Sequence, residues 1–168
     1  MPTALHPESR TIRAAHESDL ERILALQKDA YRSEAEIYGD WNLPPLRQTL
    51  EDLRDEYKRM LFLVIESKGA LIGSIRAFAQ GGICLVGKLI VSPRHQNRGL
   101  GTALLREVES RFPDAKAYEL FTGARSAKNL HLYRKLGYSV VRRQDVSPSL
   151  TLVFLRKPNR PGPGVHTG

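Results

Sequence analysis

The chain has 168 residues, of which 41% are hydrophobic and 26% charged, a size and composition sufficient for one domain with its own hydrophobic core. No apolar run approaches the roughly 18 residues needed to span a bilayer, so we expect a soluble protein. The net charge of +8 favours a polyanionic partner. Because the basic residues are spread along the chain, without a zinc-finger spacing or an aromatic RNA-binding signature, a phosphate-bearing small molecule is a better candidate than nucleic acid.

Two features predict the compartment. The first ten residues lack the apolar stretch of a signal peptide, and we expect residues 1–10 to be an N-terminal extension. Cys84 is the single cysteine, which excludes an intramolecular disulfide and suits a reducing environment. We therefore predict a cytoplasmic protein.

The N-terminal third predicts one strand followed by two helices. Residues 11–15 have the pattern of a short strand, and Ser18 with Glu21 matches a capping box that would begin the first helix. Glycine and paired prolines in the segment 38–45 end that helix. The helices would turn these side chains inward: Leu20, Ile23, Leu24, Gln27, Ala30 and Tyr31 in the first, and Leu46, Leu50, Leu53 and Tyr57 in the second.

The rest of the chain predicts six strands and two helices. The strands are expected at 61–66, 70–80, 83–91, 118–122, 138–142 and 150–155, the first three forming an antiparallel meander. The helices are expected from Leu100 to Phe112 and from a Ser126 cap to Leu136, with Gly137 as the stop. The order β-α-α-β-β-β-α-β-α-β-β predicts a single α/β domain over 11–157, with a mixed, mostly antiparallel sheet flanked by helices. The proline- and glycine-rich residues 158–168 predict a disordered tail.

The segment between the third of these meander strands and the next helix has the features of a phosphate site. A helix start leaves backbone amides unpaired and carries partial positive charge. Gly99 and Gly101 lack a Cβ, so a ligand oxygen could approach the backbone closely, and Arg94, His95 and Arg98 can add positive charge. The alternative is that the glycines serve only close packing of the helix on a strand. The spacing matches neither the nucleoside-triphosphate loop nor the dinucleotide fingerprint.

Two motifs in this context resemble those of the GNAT superfamily of acyl-CoA-dependent N-acetyltransferases. Val91-Ser92-Pro93 followed by Gln96-x-x-Gly99-x-Gly101 resembles its motif A, and the segment 129–138 resembles its N-x-x-x-Y-x-x-x-G-F/Y block. The resemblance extends over residues 11–156. It implies the GNAT fold and an enzyme that transfers an acetyl group from acetyl-CoA to a primary amine of a small molecule or peptide.

The resemblance also implies roles for individual residues. The CoA pyrophosphate would be held by the amides of Gln96, Asn97, Arg98, Gly99, Leu100, Gly101 and Thr102. Leu89, Ile90 and Val91 would pair their backbone with the pantetheine arm, beside a sheet that the family opens through a bulge. Asn129 would lie next to the pantetheine, and the Val91 amide would face the oxyanion. Tyr133 would protonate the leaving thiolate, and no metal ligand is predicted.

The general base and the acceptor remain open at this point. The strand before motif A has no carboxylate at residues 83–86, where the histone-acetylating branch carries its base, so the candidates are Glu119, Asp40, Glu34, Glu36 and His95. Cys84 lies in an apolar strand and is expected to be structural, which favours direct attack in a ternary complex over an acetyl-cysteine.

Acceptor recognition is predicted from the segment 34–46 and from a loop at 143–149. The first is acidic and aromatic and would suit a cationic amine, or it is a solvated loop with a packed Trp41. Antibiotic amines, polyamines, amino acids and peptide N-termini are all compatible, and so is a homodimer. The rival functions are a non-catalytic CoA-binding regulatory module and a basic nucleic-acid-binding protein.

Overall fold

Within residues 10–160, which the computed structural model describes, seven strands form one sheet and helices cover both of its faces. The strands are β1 (Arg10–Ala14), β2 (Leu61–Ser67), β3 (Ala70–Gln80), β4 (Ile83–Val91), β5 (Ala117–Gly123), β6 (Ser139–Ser147) and β7 (Leu150–Pro158). The helices are α1 (Leu20–Tyr38), α2 (Pro44–Arg47), α3 (Leu50–Arg59), α4 (Leu100–Arg111) and α5 (Ala127–Lys135). None of these five helices combines the length and apolarity needed to cross a membrane.

The sheet has the strand order β1-β2-β3-β4-β5-β7-β6. Only β4 and β5 are parallel among the pairs in this range, and the other neighbours are antiparallel. The predicted α/β class and the mostly antiparallel sheet flanked by helices are confirmed.

Alternation of side chains along the strands divides the core into two parts. One face of the sheet, called here the α1/α3 face, buries Ala15, Leu20, Ile23, Leu53, Phe62 and Val64. The opposite face, called the α4/α5 face, buries a larger set that includes Leu63, Ile65, Ile75, Leu104, Leu105, Tyr133 and Leu155. Helices α1 and α5 therefore lie on opposite sides of the sheet.

The first helix does not begin at the predicted capping box. Residues Glu17–Asp19 form a 3-10 turn, and α1 follows from Leu20. The free amide at the start of this turn belongs to His16, and it donates a hydrogen bond to Asp19 Oδ2 at 2.7 Å. The prediction of Ser18 with Glu21 was wrong by two positions, because the carboxylate that bonds back to the start of the turn is Asp19, with His16, and the same carboxylate also binds two basic side chains.

Those basic residues make Asp19 the anchor between β1 and α1. Arg13 donates to Asp19 Oδ2 at 2.7 Å, and Arg22 donates to Oδ1 at 2.7 Å. The Asp19 side chain is only 3% exposed. The Arg13 guanidinium therefore holds the pKa of this carboxyl well below its usual range, against the opposing effect of burial.

The predicted second helix is divided into α2 and α3. The Thr49 hydroxyl accepts a hydrogen bond from the Asp52 amide at 3.1 Å, while the Asp52 carboxylate accepts one from the Thr49 amide at 3.0 Å. This reciprocal pair starts a new helix at Leu50.

The last two strands are longer than predicted. The hairpin of β6 and β7 includes Arg143 to Ser147, so most of the loop predicted at 143–149 is strand. At the other end, Pro158 belongs to β7, and the Asn159 side chain donates to the carbonyls of Pro113 and Ala115. The remainder of the predicted tail, from residue 161, lies outside the described residues.

The central parallel pair is short, and this opens the sheet. Strands β4 and β5 pair only from Ile83 with Ala117 to Leu85 with Glu119. Beyond Leu85 the two strands separate, and the edge of β4 that faces β5 is left without a strand partner. We call the space between them the cleft.

A bulge in β4 accompanies this separation. Moving from Ser74 to Arg76 along β3 advances the pairing from Ile90 to Gly87 on β4, so β4 carries one extra residue. Lys88 takes up that residue with φ of 45°, in the left-handed region. The bulge lies where the family resemblance places one.

We expect Asp19→Asn to lower the free energy of unfolding by about 2–4 kcal/mol at pH 7, because it leaves two guanidinium groups without their buried counter-ion. A carboxyl whose folded pKa is depressed stabilises above its unfolded pKa of about 4, and that contribution is lost as the pH falls toward the folded pKa. Urea denaturation should therefore show the two proteins converging below about pH 4. Glu17→Gln, an exposed change on the same turn, should stay within about 0.5 kcal/mol. A difference that is constant from pH 7 to pH 2 would contradict this account.

Candidate active site

The residues predicted to hold the donor come together along one side of the cleft. Leu89, Ile90 and Val91 end β4 beyond its pairing with β5, the segment 96–102 follows at the start of α4, and Asn129 and Tyr133 lie on α5. A Cβ added to Gly101 would lie 3.1 Å from Leu132 on α5 and 3.6 Å from Leu89 on β4. The start of α4 is therefore packed directly against both other elements.

The two glycines of this segment have different roles. Gly99 has φ of 78° and caps α4 with no side chain, and a Cβ there would meet nothing within 4 Å. Gly101 has an ordinary conformation but is confined by packing. Close packing of the helix on its neighbours therefore explains why residue 101 is a glycine. A left-handed backbone with open space beside it explains the glycine at 99.

The backbone at the start of α4 presents free donors. From Gln96 to Thr102 no amide donates a hydrogen bond to any residue in the described range, and the first helical bond is from Ala103 to Gly99. Asn97, with φ of 64°, adds a second left-handed residue to the turn. Consecutive free amides at a turn before a helix make a concave anion site.

Tyr133 lies deep in the structure with a free hydroxyl. Its side chain is buried on the α4/α5 face, with 5% of the residue exposed, beside the ring of Tyr138 at 6.2 Å. Burial raises the pKa of the hydroxyl, and the nearby Tyr31 and Glu34 raise it further. The hydroxyl has no hydrogen-bond partner among residues 10–160.

The other tyrosines show that this is unusual within the molecule. Tyr38, Tyr57, Tyr118 and Tyr138 all use their hydroxyls in hydrogen bonds to the chain. Buried tyrosine hydroxyls normally find such a partner, and leaving one unpaired costs about 1–3 kcal/mol. Tyr133, and Tyr31 with it, therefore have hydroxyls available to a ligand.

Asn129 is placed by β5. Its side-chain amide donates to the Thr122 hydroxyl at 3.2 Å, which fixes α5 against the strand that borders the cleft. Its position, one turn before Tyr133 on α5, matches the order of the predicted motif.

The end of α1 reaches the same cleft from the opposite face. Glu34 Oε2 accepts a hydrogen bond from the Ser126 hydroxyl at 2.6 Å, and Tyr38 Oη lies 2.9 Å from the same Ser126 oxygen. The Tyr38 hydroxyl also accepts the Arg125 amide at 2.9 Å, and the Arg125 guanidinium lies 5.2 Å from the Tyr38 ring centre. Ser126 is the N-cap residue of α5, as predicted, but its hydroxyl makes no capping bond and is directed to α1 instead.

Gly123 makes room for this contact. A Cβ at that position would lie 1.9 Å from Tyr38 Oη and 2.5 Å from its Cζ. Sequence patterns did not pair Tyr38 with Gly123 or Ser126, because about ninety positions separate Ser126 from its partners on α1 and no periodicity relates such distant residues.

The candidate bases differ in their hydrogen-bond partners and in their exposure. Glu119 accepts from Arg156 at 2.7 Å, Asp40 accepts the Asn42 amide at 2.9 Å, and Glu36 is exposed. His95 lies with Arg98 beside a cavity of about 200 Å³ next to the start of α4, which Arg10 and Ile72 also line. Of these carboxylates, Glu34 is the one whose charge acts on both Tyr31 and Tyr133.

The acceptor segment differs from the predicted one. Residues 34–38 belong to α1, and the predicted alternative of a packed Trp41 is wrong, because Trp41 is 58% exposed. Of the acidic residues in this segment, Glu34 lies at the cleft. Of its aromatic residues, Tyr38 is buried and Trp41 is exposed.

A buried charged cluster supports the bulge from the α1/α3 face. Arg76, 1% exposed, donates to Gln27, Gln48 and Glu56, and Lys88 donates to Gln48 at 2.9 Å. Burial lowers the pKa of both Arg76 and Lys88, and the Glu56 carboxylate opposes that effect. The predicted apolar strand gave no sign of Arg76 as a core residue.

Cys84 lies in the α4/α5 core with no exposed surface. Burial raises the pKa of its thiol to about 12, so the thiolate that a nucleophile requires is suppressed at neutral pH.

Comparison with known proteins shows what this arrangement resembles. The family model described as the acetyltransferase (GNAT) family matches residues 20–138. The chain is 30% identical over 139 residues to the UPF0157 protein YqkA of Bacillus subtilis, a match that covers 82% of this chain and 40% of that protein. The chain thus spans about two fifths of the length of the curated relative it matches.

Solved structures share the fold at low identity. The PaiA N-acetyltransferase of Thermoplasma acidophilum, in complex with coenzyme A, superposes with a TM-score of 0.75 at 20% identity, over 89% of this chain and 99% of that one. The ribosomal-protein-S18-alanine N-acetyltransferase of Escherichia coli gives a TM-score of 0.75 at 16% identity, over 94% and 99% of the two chains.

We expect Gly123→Ala to destabilise the protein by about 1–3 kcal/mol, because the new methyl group overlaps the Tyr38 ring. Gly87→Ala, where a Cβ meets nothing within 4 Å, is the matched control on the other side of the cleft. Combining Gly123→Ala with Tyr38→Leu should cost less than the sum of the single changes, with a coupling of about 1 kcal/mol or more in urea denaturation. Strictly additive costs would show that Tyr38 does not occupy the space next to Gly123.

Proposed function

Because the chain belongs to the acetyltransferase (GNAT) family, we propose that it transfers an acetyl group from acetyl-CoA to a primary amine of a small molecule or peptide. The observation that carries the proposal is the free hydroxyl of buried Tyr133, at a cleft whose end is a row of unpaired amides. A site for a phosphorylated thioester needs both features, an anion cradle and a proton donor set apart from water.

The free amides of 96–102 fit the pyrophosphate of CoA. Gly99 leaves the approach to them open, and Arg98 lies exposed beside them. The unpaired edge of β4 at Leu89, Ile90 and Val91 would bond the amides of the pantetheine arm as an added strand does. The Thermoplasma acetyltransferase of the same fold was solved with coenzyme A, which supports this ligand here.

Transfer then follows from the groups around the thioester. A neutral amine attacks the carbonyl carbon, the C–S bond breaks, and the Val91 amide donates to the oxygen that gains charge. Tyr133 gives its proton to the departing sulfur and is reprotonated from solvent, while the nitrogen loses a proton. A raised pKa keeps the tyrosine protonated at neutral pH, which suits an acid. Burial of Cys84 favours direct attack over an acetylated cysteine.

The donor site is tested by two glycines with nearly the same backbone. Gly99 and Gly69 have φ of 78° and 79°, and neither would meet an atom within 4 Å through an added Cβ. Alanine at either position should cost about 1–2 kcal/mol of stability through the left-handed strain. In calorimetry only Gly99→Ala should weaken CoA binding, by about tenfold or more, because its methyl group covers the amides. Equal CoA affinities of the two variants would place the pyrophosphate elsewhere.

The chemistry is tested by Tyr133→Phe in an assay of thiol release from acetyl-CoA with a panel of amines. Loss of a general acid should lower kcat by about 10²- to 10⁴-fold while CoA affinity stays nearly constant. Tyr57→Phe is the control, since its hydroxyl bonds the Ala15 carbonyl away from the cleft, and it should cost about 1 kcal/mol of stability without changing kcat. Wild-type turnover in Tyr133→Phe would remove this hydroxyl from the mechanism. A wild-type protein that binds CoA but releases no thiol would favour the regulatory module.

A further inference from the structure

Glu34 combines a fixed position with an unused oxygen. Its Oε2 accepts the Ser126 hydroxyl at 2.6 Å, and Oε1 has no hydrogen bond to any residue in the described range. Ser126 is itself 3% exposed and is held by Tyr38, which fills the space left by Gly123. The carboxylate is thus oriented by side chains that cannot move independently.

The geometry of α5 directs Tyr133 toward this carboxylate. Ser126 precedes α5 and Tyr133 lies two turns later on the same side of the helix. Long side chains in a helix point back toward its N-terminus, so the Tyr133 hydroxyl extends toward Ser126. The charge of Glu34 raises the pKa of Tyr133 in agreement with this placement.

Tyr31 completes the same group from α1. It lies one turn before Glu34 on that helix, and its half-buried hydroxyl has no partner among the residues described. Burial, and to a lesser degree the charge of Glu34, raise the pKa of Tyr31 to about 12. Since α1 and α5 cover opposite faces of the sheet, these groups can meet only through the cleft, where β4 and β5 have separated.

We propose that Glu34 binds the acceptor: Oε1 receives the ammonium group of a cationic amine and takes its first proton as the nitrogen attacks. This inference rests on the proposed acetyl transfer. The ammonium gives one proton to Glu34, the freed nitrogen bonds to the acetyl carbon, and the C–S bond breaks. The sulfur takes the proton of Tyr133, and the second proton of the nitrogen leaves to solvent. Glu34 then loses its proton and Tyr133 regains one through solvent, which restores both groups. The products are the amide and CoA thiol, with one net proton released.

A structural tether is the competing role, and Glu34→Gln separates the two. Glutamine keeps an oxygen that can accept the Ser126 hydroxyl, so the tether survives while the negative charge is lost. Glu36→Gln removes the same charge from an exposed position on the same helix. Ser126→Ala does the reverse, because it removes the tether and keeps the carboxylate.

The measurement is calorimetric binding of amines to the protein saturated with CoA, which carries no acetyl group and so allows no reaction. The probes are spermidine, tyramine and a tetrapeptide with an N-terminal alanine. In Glu34→Gln we expect at least tenfold weaker binding of those amines that the wild type binds, with CoA affinity unchanged within about twofold. Glu36→Gln should match the wild type, and Ser126→Ala should keep amine affinity within a few-fold while melting at a lower temperature.

Three results would overturn the assignment of Glu34: wild-type amine affinity in Glu34→Gln, a wild-type CoA complex that binds none of the probes, or equal losses of amine affinity in Glu34→Gln and Ser126→Ala. The comparison of these two variants is also decisive if Glu34→Gln proves less stable than the wild type. Both variants would then lack the hydrogen bond between residues 34 and 126, and only Glu34→Gln would also lack the charge. A wild-type protein that fails to bind CoA would instead overturn the proposed acetyl transfer.

Discussion

The parting of β4 from β5 is the constraint on which the rest of the structure depends. A sheet normally satisfies every backbone group of its inner strands, and β4 gives this up after Leu85. The extra residue at Lys88 turns the strand out of register with β3, so the free edge is built into the chain and is not a frayed end. The predicted donor residues on β4, the start of α4 and α5 lie along the border of the gap that results.

Keeping such a gap open requires support from both faces. On the α1/α3 face, Arg76 and Lys88 share the carboxylate of Glu56 directly under the bulge. A buried guanidinium is costly unless it is paired and hydrogen-bonded, so this cluster is stable only as a complete set. On the α4/α5 face the support is ordinary apolar packing around Leu104 and Leu105. The polar cluster thus supports the bulge of β4, and the apolar core supports α4 and α5.

The fold could be predicted from sequence because its signals are local. Apolar periodicity and glycine turns gave the order of the elements, and the turn at Gly99 marked the helix start. The sequence did not predict correctly which hydrogen-bond partners the polar side chains take. Ser126 was predicted to cap its own helix, yet its hydroxyl donates to Glu34 on α1, and Asp19 took the role predicted for Ser18 with Glu21. A hydroxyl or a carboxylate has several suitable partners near it in sequence, and the tertiary fold decides among them.

The candidate site shows the same division. The residues predicted to bind the donor fall in two short segments, 89–102 and 129–133, and a motif could describe each of them. The proposed acceptor half combines residues of α1, β5 and α5, and the sequence left Glu34 as one of five equivalent candidates for the base. The tertiary contacts distinguish them: Glu119 is paired with Arg156, Asp40 bonds the nearby Asn42 amide, and Glu34 is held by Ser126 at the start of α5.

The contact between Tyr38 and Gly123 has a mechanical consequence. The two halves of the sheet are joined by backbone at Leu85 with Glu119, and by side chains at Gly123, four residues farther along β5. These two contacts are about 13 Å apart at the rise of a strand, so a shift at one would rotate the two halves of the sheet about the other. A shift of about 1 Å at Gly123 would rotate one half against the other by about 4° about the pair of Leu85 with Glu119. Because the Tyr38 ring fills the space beside Gly123, it resists such a movement and adds to the support that both faces give to the width of the cleft.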